Sequence, residues 1–392
     1  MHIKLIIICL GFNLFLGSKP EIKKIDGGRI STDEIDNIIT QLMDTAHVQG
    51  LCVAILNDNK TVYTKAYGFK NKKLNQLLDT STVLYAASYT KAVFAYLSML
   101  LVQDKILDLD KPLYSYLAKP LPEYEGYKDL AVDERWKLLT AKMCLSHTTG
   151  FPNVRWLSDE DTVGLLKIYY EPGTRYAYSG EGLKLLQLVE EEITGKTIED
   201  LAIEKVFKPI GMHRTGFTWH ERFDDNYAIG HLENDELNYK RKRKIPNAAG
   251  SMVTTIADYA RFIEYIMQGK GLEKKLLDQM LSPQIEINSM FQFPTLIGPT
   301  TIENKTIGLS YGLGWGLLKC KYGNAFFKEG HDDAWRHYNI NFRDKGISII
   351  IMCNSANGES IFKELLEKII GDTFTPWKWE RYTPYNSKEN QK

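Results

Sequence analysis

Two apolar segments joined by a polar turn stand near the start of the chain. Residues 51–56 form an unbroken apolar run, residues 61–63 form a second short run, and the turn-forming residues 57–60 lie between them. This pattern predicts a β-hairpin. Before the hairpin, residues 32–34 open a helical pattern in which apolar residues recur at helical spacing from Ile35 to Met43, and this predicts a helix. After the hairpin, an almost uniformly apolar helix is predicted to end near Val102.

The periodicity changes in the middle of the chain and changes back near its end. Helical spacing prevails from about residue 103 to residue 301. It predicts helices over residues 133–144, 181–194, 197–207 and 255–267. Strands are predicted over residues 314–319, 337–342 and 347–353, and a closing helix over residues 359–370.

This order of elements predicts an α/β fold of the α+β type. Its antiparallel sheet is flanked by helices and is formed from both chain ends, with a mainly helical region inserted. We assign residues 19–102 and 302–392 to the sheet region and residues 103–301 to the helical region. Together they are expected to form one domain over about residues 33–372.

Composition and charge narrow the possible partners. The 392 residues are 44% hydrophobic and 25% charged, which is ordinary for a globular protein, and the formal net charge is +0. This balance favours neither nucleic acid nor an anionic membrane as a partner. One basic run, residues 240–244, is interpreted as a solvated loop.

The first residues have the features of an export signal. Lys4 precedes an apolar run, residues 5–16, and small residues follow it. This pattern predicts a signal peptide over about residues 1–18 and an exported, periplasmic or extracellular protein. No membrane span is expected in the mature protein.

The cysteines and histidines show no metal pattern. After the signal segment four cysteines remain: Cys52, Cys144, Cys320 and Cys353. They form no C-x-x-C pair, and buried free thiols are the favoured interpretation, with disulfides left open. The histidines show no zinc spacing. We expect neither a metal nor a cofactor.

The candidate chemistry begins with a serine and a lysine three positions apart. Ser88 and Lys91 form an S-x-x-K at the predicted start of the long helix. Positions i and i+3 share a helix face, so the lysine amine is expected beside the serine hydroxyl. A hydroxyl needs such a base to become a nucleophile. The pattern alone is weak, because Ser360 and Lys363 match it too. Tyr178 is placed on a tight connection, where side chains often project into clefts.

Taken together, these residues resemble the class C β-lactamase and penicillin-binding-protein-like family of serine hydrolases. The family also contains D-alanyl-D-alanine carboxypeptidases, esterases and D-amino-acid peptidases. Five further segments carry the resemblance: residues 145–152 (L-S-H-T-S-G-L-P in the family), 171–179 (P-G-x-x-F-x-Y-S-N), 209–212 (P-L-G-M), 249–258 (A-G-G-x-x-S-T-x-x-D) and 311–315 (Y-G-L-G-W). Their number and order make the resemblance specific.

The resemblance implies a role for each site residue. Ser88 is expected to attack a carbonyl carbon, while Lys91 and Tyr178 move its proton. The backbone N–H groups of Ser88 and Ala334 are implied as the oxyanion hole. His331 stands where the lactamases have the lysine of K-T-G and is expected to bind substrate.

Two departures from the family pattern concern the substrate. Gly180 replaces the asparagine of Y-x-N, so the side-chain amide that contacts substrate in the lactamases is missing. Asp332 and Asp333 replace the threonine and glycine of the K-T-G segment. Neither change removes the nucleophile.

The function expected from these patterns is a serine hydrolase that acts through an acyl-enzyme on an ester, amide or peptide. Its partner is a small-molecule or peptide substrate, and its oligomeric state is left open. The alternatives are a true β-lactamase or D-alanyl-D-alanine carboxypeptidase, and a non-catalytic penicillin-binding sensor. A G-x-S-x-G around Ser310 offers an α/β-hydrolase alternative, but the glycines after it disfavour the helix that this motif requires.

Overall fold

The computed structural model describes residues 20–155, 164–234, 236–239, 242–294, 296 and 298–387. Its strands are β1 (Glu21–Lys23), β2 (Arg29–Ser31), β3 (Gly50–Asn57), β4 (Lys60–Asn71), β5 (Gln76–Leu77), β6 (Leu84–Tyr85), β7 (Gly230–His231), β8 (Leu237–Asn238), β9 (Val253–Thr254), β10 (Ile285–Glu286), β11 (Ser310–Tyr311), β12 (Gly316–Cys320), β13 (Gly323–Asp332), β14 (Trp335–Phe342) and β15 (Ile347–Cys353). Its helices are α1 (Thr32–Ala46), α2 (Tyr89–Gln103), α3 (Ala141–Leu145), α4 (Gly180–Thr194), α5 (Ile198–Ala202), α6 (Lys208–Ile210), α7 (Ile256–Met267), α8 (Lys274–Met280), α9 (Phe362–Ile370) and α10 (Trp377–Glu380).

A nine-stranded antiparallel sheet organises the molecule. Its strand order is β10-β11-β12-β13-β14-β15-β3-β4-β5. Strands β3 to β5 come from the beginning of the chain and strands β10 to β15 from its end, and β3 pairs directly with β15. The helices of the middle of the chain lie between these two groups in sequence. The prediction of an antiparallel sheet formed from both chain ends, with a helical insertion, is therefore confirmed.

Strand β3 is buried on both faces of the sheet, and its successive side chains belong to two different cores. Leu51, Val53 and Ile55 belong to the core that includes α1 and α9. Cys52 and Ala54 belong to the second core, which includes α2 and most of the inserted helices. Because successive side chains of a strand point to opposite faces, an unbroken apolar run is the pattern expected for a strand buried on both sides.

Most of the predicted elements are present, and one predicted helix is wrong. The hairpin of β3 and β4 and the helices α4 and α7 lie where the periodicity places them. Residues 133–144 do not form one helix: Glu134–Leu138 is a 3-10 turn, and Leu139 is extended. Thr140 then starts α3 anew, its side chain accepting the Met143 N–H at 3.3 Å. Local capping therefore breaks a segment whose apolar spacing favours a continuous helix.

Strand β13 was not predicted. It spans Gly323–Asp332, so Gly330, His331 and Asp332 end one strand as well as preceding the next. Its interior contains Lys328 and Glu329, two charged residues that the alternation pattern of a buried strand does not admit. Both side chains are nevertheless buried, because they form an ion pair with each other at 2.6 Å.

Three predictions concern export, cysteines and the basic run. The predicted signal peptide lies outside the described residues, as do Lys240 and Arg241. Among the described helices, none is long and apolar enough to span a bilayer. In the described part of the chain Cys52, Cys144, Cys320 and Cys353 are free thiols, three of them buried. The favoured interpretation of unpaired cysteines is therefore confirmed.

Candidate active site

Ser88 occupies the N-terminal cap of α2, directly after a strained residue. Strand β6 ends at Tyr85, and Ala87 has a φ of 46°, in the left-handed region that non-glycine residues rarely adopt. Such a conformation costs on the order of 1–3 kcal/mol and is concentrated at functional sites. Ser88 itself is half-buried. The turn thus presents its hydroxyl at the start of a helix, where free backbone N–H groups favour negative charge.

Lys91 lies one helical turn further on, beside the serine hydroxyl. Its Nζ donates to Ser88 Oγ at 2.9 Å and also to the Ala249 carbonyl. The lysine side chain is almost fully buried. Burial, and next the positive charge of Lys328, hold the pKa of Lys91 well below its ordinary value. A neutral amine with a free lone pair can accept the serine proton.

Tyr178 completes this cluster from the loop before α4. Its hydroxyl is close enough to Ser88 to interact with it, and its ring lies 4.9 Å from Lys91 Nζ. Burial, and next the carboxylate of Glu329, raise the pKa of Tyr178 well above its ordinary value. The phenol therefore keeps its proton at neutral pH, which suits a relay that passes a proton on rather than a permanent base.

His147 positions the loop that carries this tyrosine. Its Nδ1 accepts the Ser179 N–H at 3.2 Å, its carbonyl oxygen accepts the Ala177 N–H at 2.8 Å, and its ring packs 4.4 Å from the Tyr178 ring. Burial and the two nearby lysines, Lys328 and Lys91, hold the pKa of His147 well below its ordinary value. These contacts of a neutral, buried imidazole indicate a structural role for His147.

A second lysine, which sequence reasoning missed, lies on the other side of the tyrosine. Lys328 Nζ donates to the Tyr178 hydroxyl at 3.2 Å and to Glu329 Oε1 at 2.6 Å. Glu329 also accepts from Gln292 at 2.9 Å. Although burial acts to raise it, the Lys328 ammonium lowers the pKa of Glu329 below its ordinary value. A signal existed in the sequence: Lys328, Glu329 and Gly330 themselves form a K-x-G.

The end of β13 lies against the Ser88 turn at Gly330. A Cβ atom at this glycine would lie 3.1 Å from the Ala86 carbonyl oxygen, which leaves little room for a side chain. His331, the next residue, is half-buried and its Nε2 lies 3.4 Å from Glu359. Ala334 is buried in the turn before β14 and faces Gly230. The described contacts thus bring Lys328, rather than His331, to Tyr178. The substrate roles of His331 and Ala334 stay predictions.

Gly180 begins α4, and a neighbouring asparagine occupies the space beside it. The Gly180 N–H donates to Asn153 Oδ1 at 3.1 Å. A Cβ atom at position 180 would lie 2.5 Å from the Asn153 carbonyl oxygen. The side chain that the lactamases carry at this position therefore has no room in this chain.

The two alternative serines are engaged in local structural bonds. Ser310 lies in strand β11 and donates to the Gly308 carbonyl at 3.1 Å, and the element that follows is strand β12. An α/β-hydrolase nucleophile requires a turn followed by a helix. Ser360 donates to the Asn357 carbonyl at 2.7 Å within a 3-10 turn. In the described part of the chain no group of three metal-ligating side chains is clustered.

The fold and the site together have the features of one class of protein. These features are an antiparallel sheet, a serine at a helix start, a lysine one helical turn later and a tyrosine from a separate loop. The β-lactamase family model matches residues 35–370, and the chain belongs to this family. An unguisins hydrolase of Aspergillus campestris is 26% identical over 270 residues, 63% of this chain and 49% of that protein. Protein flp of Staphylococcus aureus is 22% identical over 274 residues, 64% and 51% of the respective chains. The chain thus spans about half the length of these curated relatives.

Solved structures with the same fold include several of the β-lactamase type. A class C β-lactamase superposes with a TM-score of 0.67 and 19% identity, covering 87% of this chain and 97% of the other. An octameric penicillin-binding protein homologue from Pyrococcus abyssi gives a TM-score of 0.67 and 18% identity, covering 90% and 79% of the respective chains. At these identities the similarity establishes the fold.

Proposed function

We propose that this protein is a serine hydrolase that cleaves an ester or amide through an acyl-enzyme on Ser88. The observation that carries the proposal is the 2.9 Å contact between the half-buried Ser88 hydroxyl and the buried Lys91 amine. The lowered pKa of that amine supports its role as the base. Tyr178, next to both groups, is assigned the relay of the proton.

Acylation begins when the Lys91 amine takes the Ser88 proton and Ser88 Oγ bonds to the carbonyl carbon. The carbonyl electron pair moves onto its oxygen, which the backbone N–H groups of Ser88 and Ala334 would stabilise. Loss of one such donor typically costs about 3–4 kcal/mol. The bond to the alcohol or amine then breaks, and this leaving group takes the proton from the Lys91 ammonium through the Tyr178 hydroxyl. Because that phenol keeps its proton, it gives one proton as it receives another.

Deacylation repeats the sequence with water. Water gives a proton to Lys91 as its oxygen bonds to the acyl carbon, and the bond between that carbon and Ser88 Oγ then breaks. The serine oxygen regains the proton and the carboxylic acid leaves. The same base therefore serves both halves of the reaction, and no group outside the chain is required to balance protons.

Labelling identifies the nucleophile. A fluorophosphonate should modify Ser88, as mapped by peptide mass spectrometry, and Ser88→Ala should abolish labelling. Ser310→Ala is the matched control and should be labelled like the wild type. Modification of Ser310 or Ser360 with Ser88 untouched would overturn the assignment.

Kinetics of two further variants test the proton transfer. Lys91→Ala and Tyr178→Phe should each lower kcat by roughly 10²- to 10⁴-fold while remaining folded. Their combined loss should be smaller than the product of the single losses, because the two groups act as a unit. Full activity of Tyr178→Phe on an unactivated ester would remove this residue from the mechanism.

The substrate side of the site supports an esterase or peptidase rather than a β-lactamase. Position 180 has no side-chain amide to hold an acylamido group, and Asn153 fills the space beside it. Asp332 and Asp333 add negative charge close to where a lactam carboxylate would bind.

A three-substrate comparison distinguishes these activities. We expect measurable hydrolysis of p-nitrophenyl acetate and little turnover of nitrocefin. Nitrocefin kcat/KM near the diffusion ceiling of about 10⁸ M⁻¹s⁻¹ would restore the lactamase alternative. Preferred release of D-alanine from a D-alanyl peptide would indicate a carboxypeptidase, and a stable adduct without turnover would indicate a sensor.

Export is proposed on the sequence pattern alone. The basic and apolar segments of residues 1–18 support signal cleavage. Expression in a bacterial host should give a mature N-terminus between Gly17 and Glu21. Recovery of only the intact chain from the cytoplasm would contradict this proposal.

A further inference from the structure

A pocket of about 460 Å³ opens beside the Ser88 segment, and the catalytic groups do not explain it. Among the described residues that line it, Ser88, Lys91 and Tyr178 are all absent. Volumes of about 300–1,000 Å³ are typical of sites for small ligands.

One wall of the pocket is continuous with the segment that carries the nucleophile. Tyr85 lines the pocket, and the three residue steps from Tyr85 to Ser88 span at most about 11 Å. The Tyr85 hydroxyl donates to the Gly250 carbonyl at 2.7 Å. The preceding residue, Ala249, offers its carbonyl to Lys91. Two chain segments therefore connect the pocket wall to the catalytic cluster, one through Tyr85 and one through Gly250.

The opposite wall flanks the residue implied in the oxyanion hole. Asp332 and Trp335 line the pocket on either side of the turn that contains Ala334. The leaving group must stay near Tyr178 to receive its proton, so the part of the substrate that faces the pocket is the acyl group.

The remaining walls are mostly aromatic and aliphatic. Trp219 and Tyr227 pack edge to face with ring centroids 5.3 Å apart. The Trp219 indole N–H donates to Asp224 at 2.8 Å, which fixes the orientation of this ring. Val83 and Ile229 supply aliphatic surface. Flat, oriented rings of this kind favour offset or edge contacts with another ring.

Charges of both signs lie at the pocket, so its walls do not select a charged ligand. Lys242, at the mouth, forms an ion pair with Asp224 and lies 4.9 Å from the ring centroids of Trp219 and of Tyr227. Arg243 and Asp332 line the same pocket with opposite charges.

We propose that this pocket binds the acyl portion of the substrate and that this portion carries an uncharged aromatic ring. The inference rests on the proposed function, because it assigns the substrate class of the same hydrolytic site. It also gives two residues of the basic run, Lys242 and Arg243, a place at a binding site. The substrates are therefore arylacyl esters or amides rather than acetyl compounds.

Two esters with one leaving group test the proposal. The kcat/KM values of the full chain for p-nitrophenyl phenylacetate and p-nitrophenyl acetate are each divided by the rate of hydroxide-catalysed hydrolysis of the same ester. We expect a corrected preference for phenylacetate of about 100-fold, within the range that a well-fitted apolar group contributes to discrimination between substrates. Tyr227→Ala should lower this preference at least about 10-fold. Tyr114→Ala, an exposed tyrosine outside the pocket walls, is the matched control and should keep the preference.

A second variant covers the possibility that Tyr227→Ala does not fold. Asn238→Trp places a large ring at the pocket wall and should lower the corrected preference for phenylacetate over acetate. Equal corrected values for the two esters in the wild type, or an unchanged preference in Asn238→Trp, would overturn the proposal. If Ser88 is labelled and acetate is hydrolysed without preference, only this inference fails. If neither ester is hydrolysed and Ser88 is not labelled, the proposed function fails with it.

Discussion

Replacing Lys328 with methionine tests whether this buried lysine supports the reaction. Methionine keeps an unbranched side chain of similar length and removes the ammonium group. That group donates to the Tyr178 hydroxyl at 3.2 Å and to Glu329 at 2.6 Å. His331→Ala is the matched control, because His331 is the residue that the family pattern places at the lysine of K-T-G.

The size of the effect follows from the two bonds that are lost. A hydrogen bond from a charged donor contributes about 1.5–3 kcal/mol, which corresponds to a loss of about 10- to 150-fold in kcat/KM. The single variant also leaves Glu329 buried without its cation. Breaking a buried ion pair in this way costs about 3–5 kcal/mol of folding free energy. Lys328→Met combined with Glu329→Gln avoids that cost, because the neutral amide introduced by the second substitution keeps a carbonyl oxygen that can accept from Gln292.

The pH dependence separates an electrostatic role from a structural one. Lys91 acts as a base only when neutral, so kcat/KM rises with pH through the pKa of Lys91. The charge of Lys328 is the largest electrostatic contribution that lowers this pKa, after burial. The double variant also removes the carboxylate of Glu329, which acts to raise this pKa, but that contribution is smaller than the one from Lys328. The double variant should therefore still raise the pKa of Lys91 and move the acidic limb of the profile to higher pH. A group that only supports packing would leave the limb unmoved.

The assay compares kcat/KM for p-nitrophenyl acetate in the wild type, the double variant and His331→Ala. The pH runs from about 5 to about 10, which covers the values expected for a lysine pKa lowered by burial. Folding is monitored by thermal denaturation at each pH. A folded double variant with wild-type activity and an unshifted acidic limb, together with a strong loss in His331→Ala, would refute the reasoning. It would assign the cation of the site to His331 instead.

Two further predictions concern stability. Gly180→Ala should lower the free energy of unfolding, measured by urea denaturation, by about 1–3 kcal/mol, because the added Cβ would lie 2.5 Å from the Asn153 carbonyl oxygen. Gly250→Ala is the control: the atom nearest to its added Cβ lies at 3.5 Å, so its free energy of unfolding should stay within about 0.5–1 kcal/mol of the wild type. Equal losses in both variants would contradict the steric argument. Burial raises the pKa of Glu190 to about 8, so the folded protein retains this proton at neutral pH. The stability that the bound proton contributes is fully present below the ordinary pKa of 4.5 and is lost as the pH rises towards 8. Glu190→Gln should therefore be more stable than the wild type by about 3 kcal/mol at pH 7, with little gain at pH 4, and a gain independent of pH would exclude this explanation.

Local patterns determined the parts of the protein that depend on neighbours in the sequence. The hairpin of β3 and β4 follows from an apolar run, a polar turn and a second run. The contact between Ser88 and Lys91 follows from helical spacing alone, since residues three apart share a face. The family motifs gave Tyr178 its role in the site and agreed with the fold that the order of elements predicts. The order of these motifs along the chain was enough to indicate the family, although the distances in space between the segments were not predictable.

Only the tertiary structure decided which charged groups are buried and which spaces are filled. Lys328 and Glu329 interrupt the apolar pattern of β13, and they are buried because distant residues, Tyr178 and Gln292, satisfy them. Position 180 has no room for a side chain, because the loop that contains Asn153, 27 residues away in sequence, lies against it. A single sequence records each residue type but not its contacts across the fold. Burying a charge or excluding a side chain depends on those contacts, and so these features became visible only when the chain was folded.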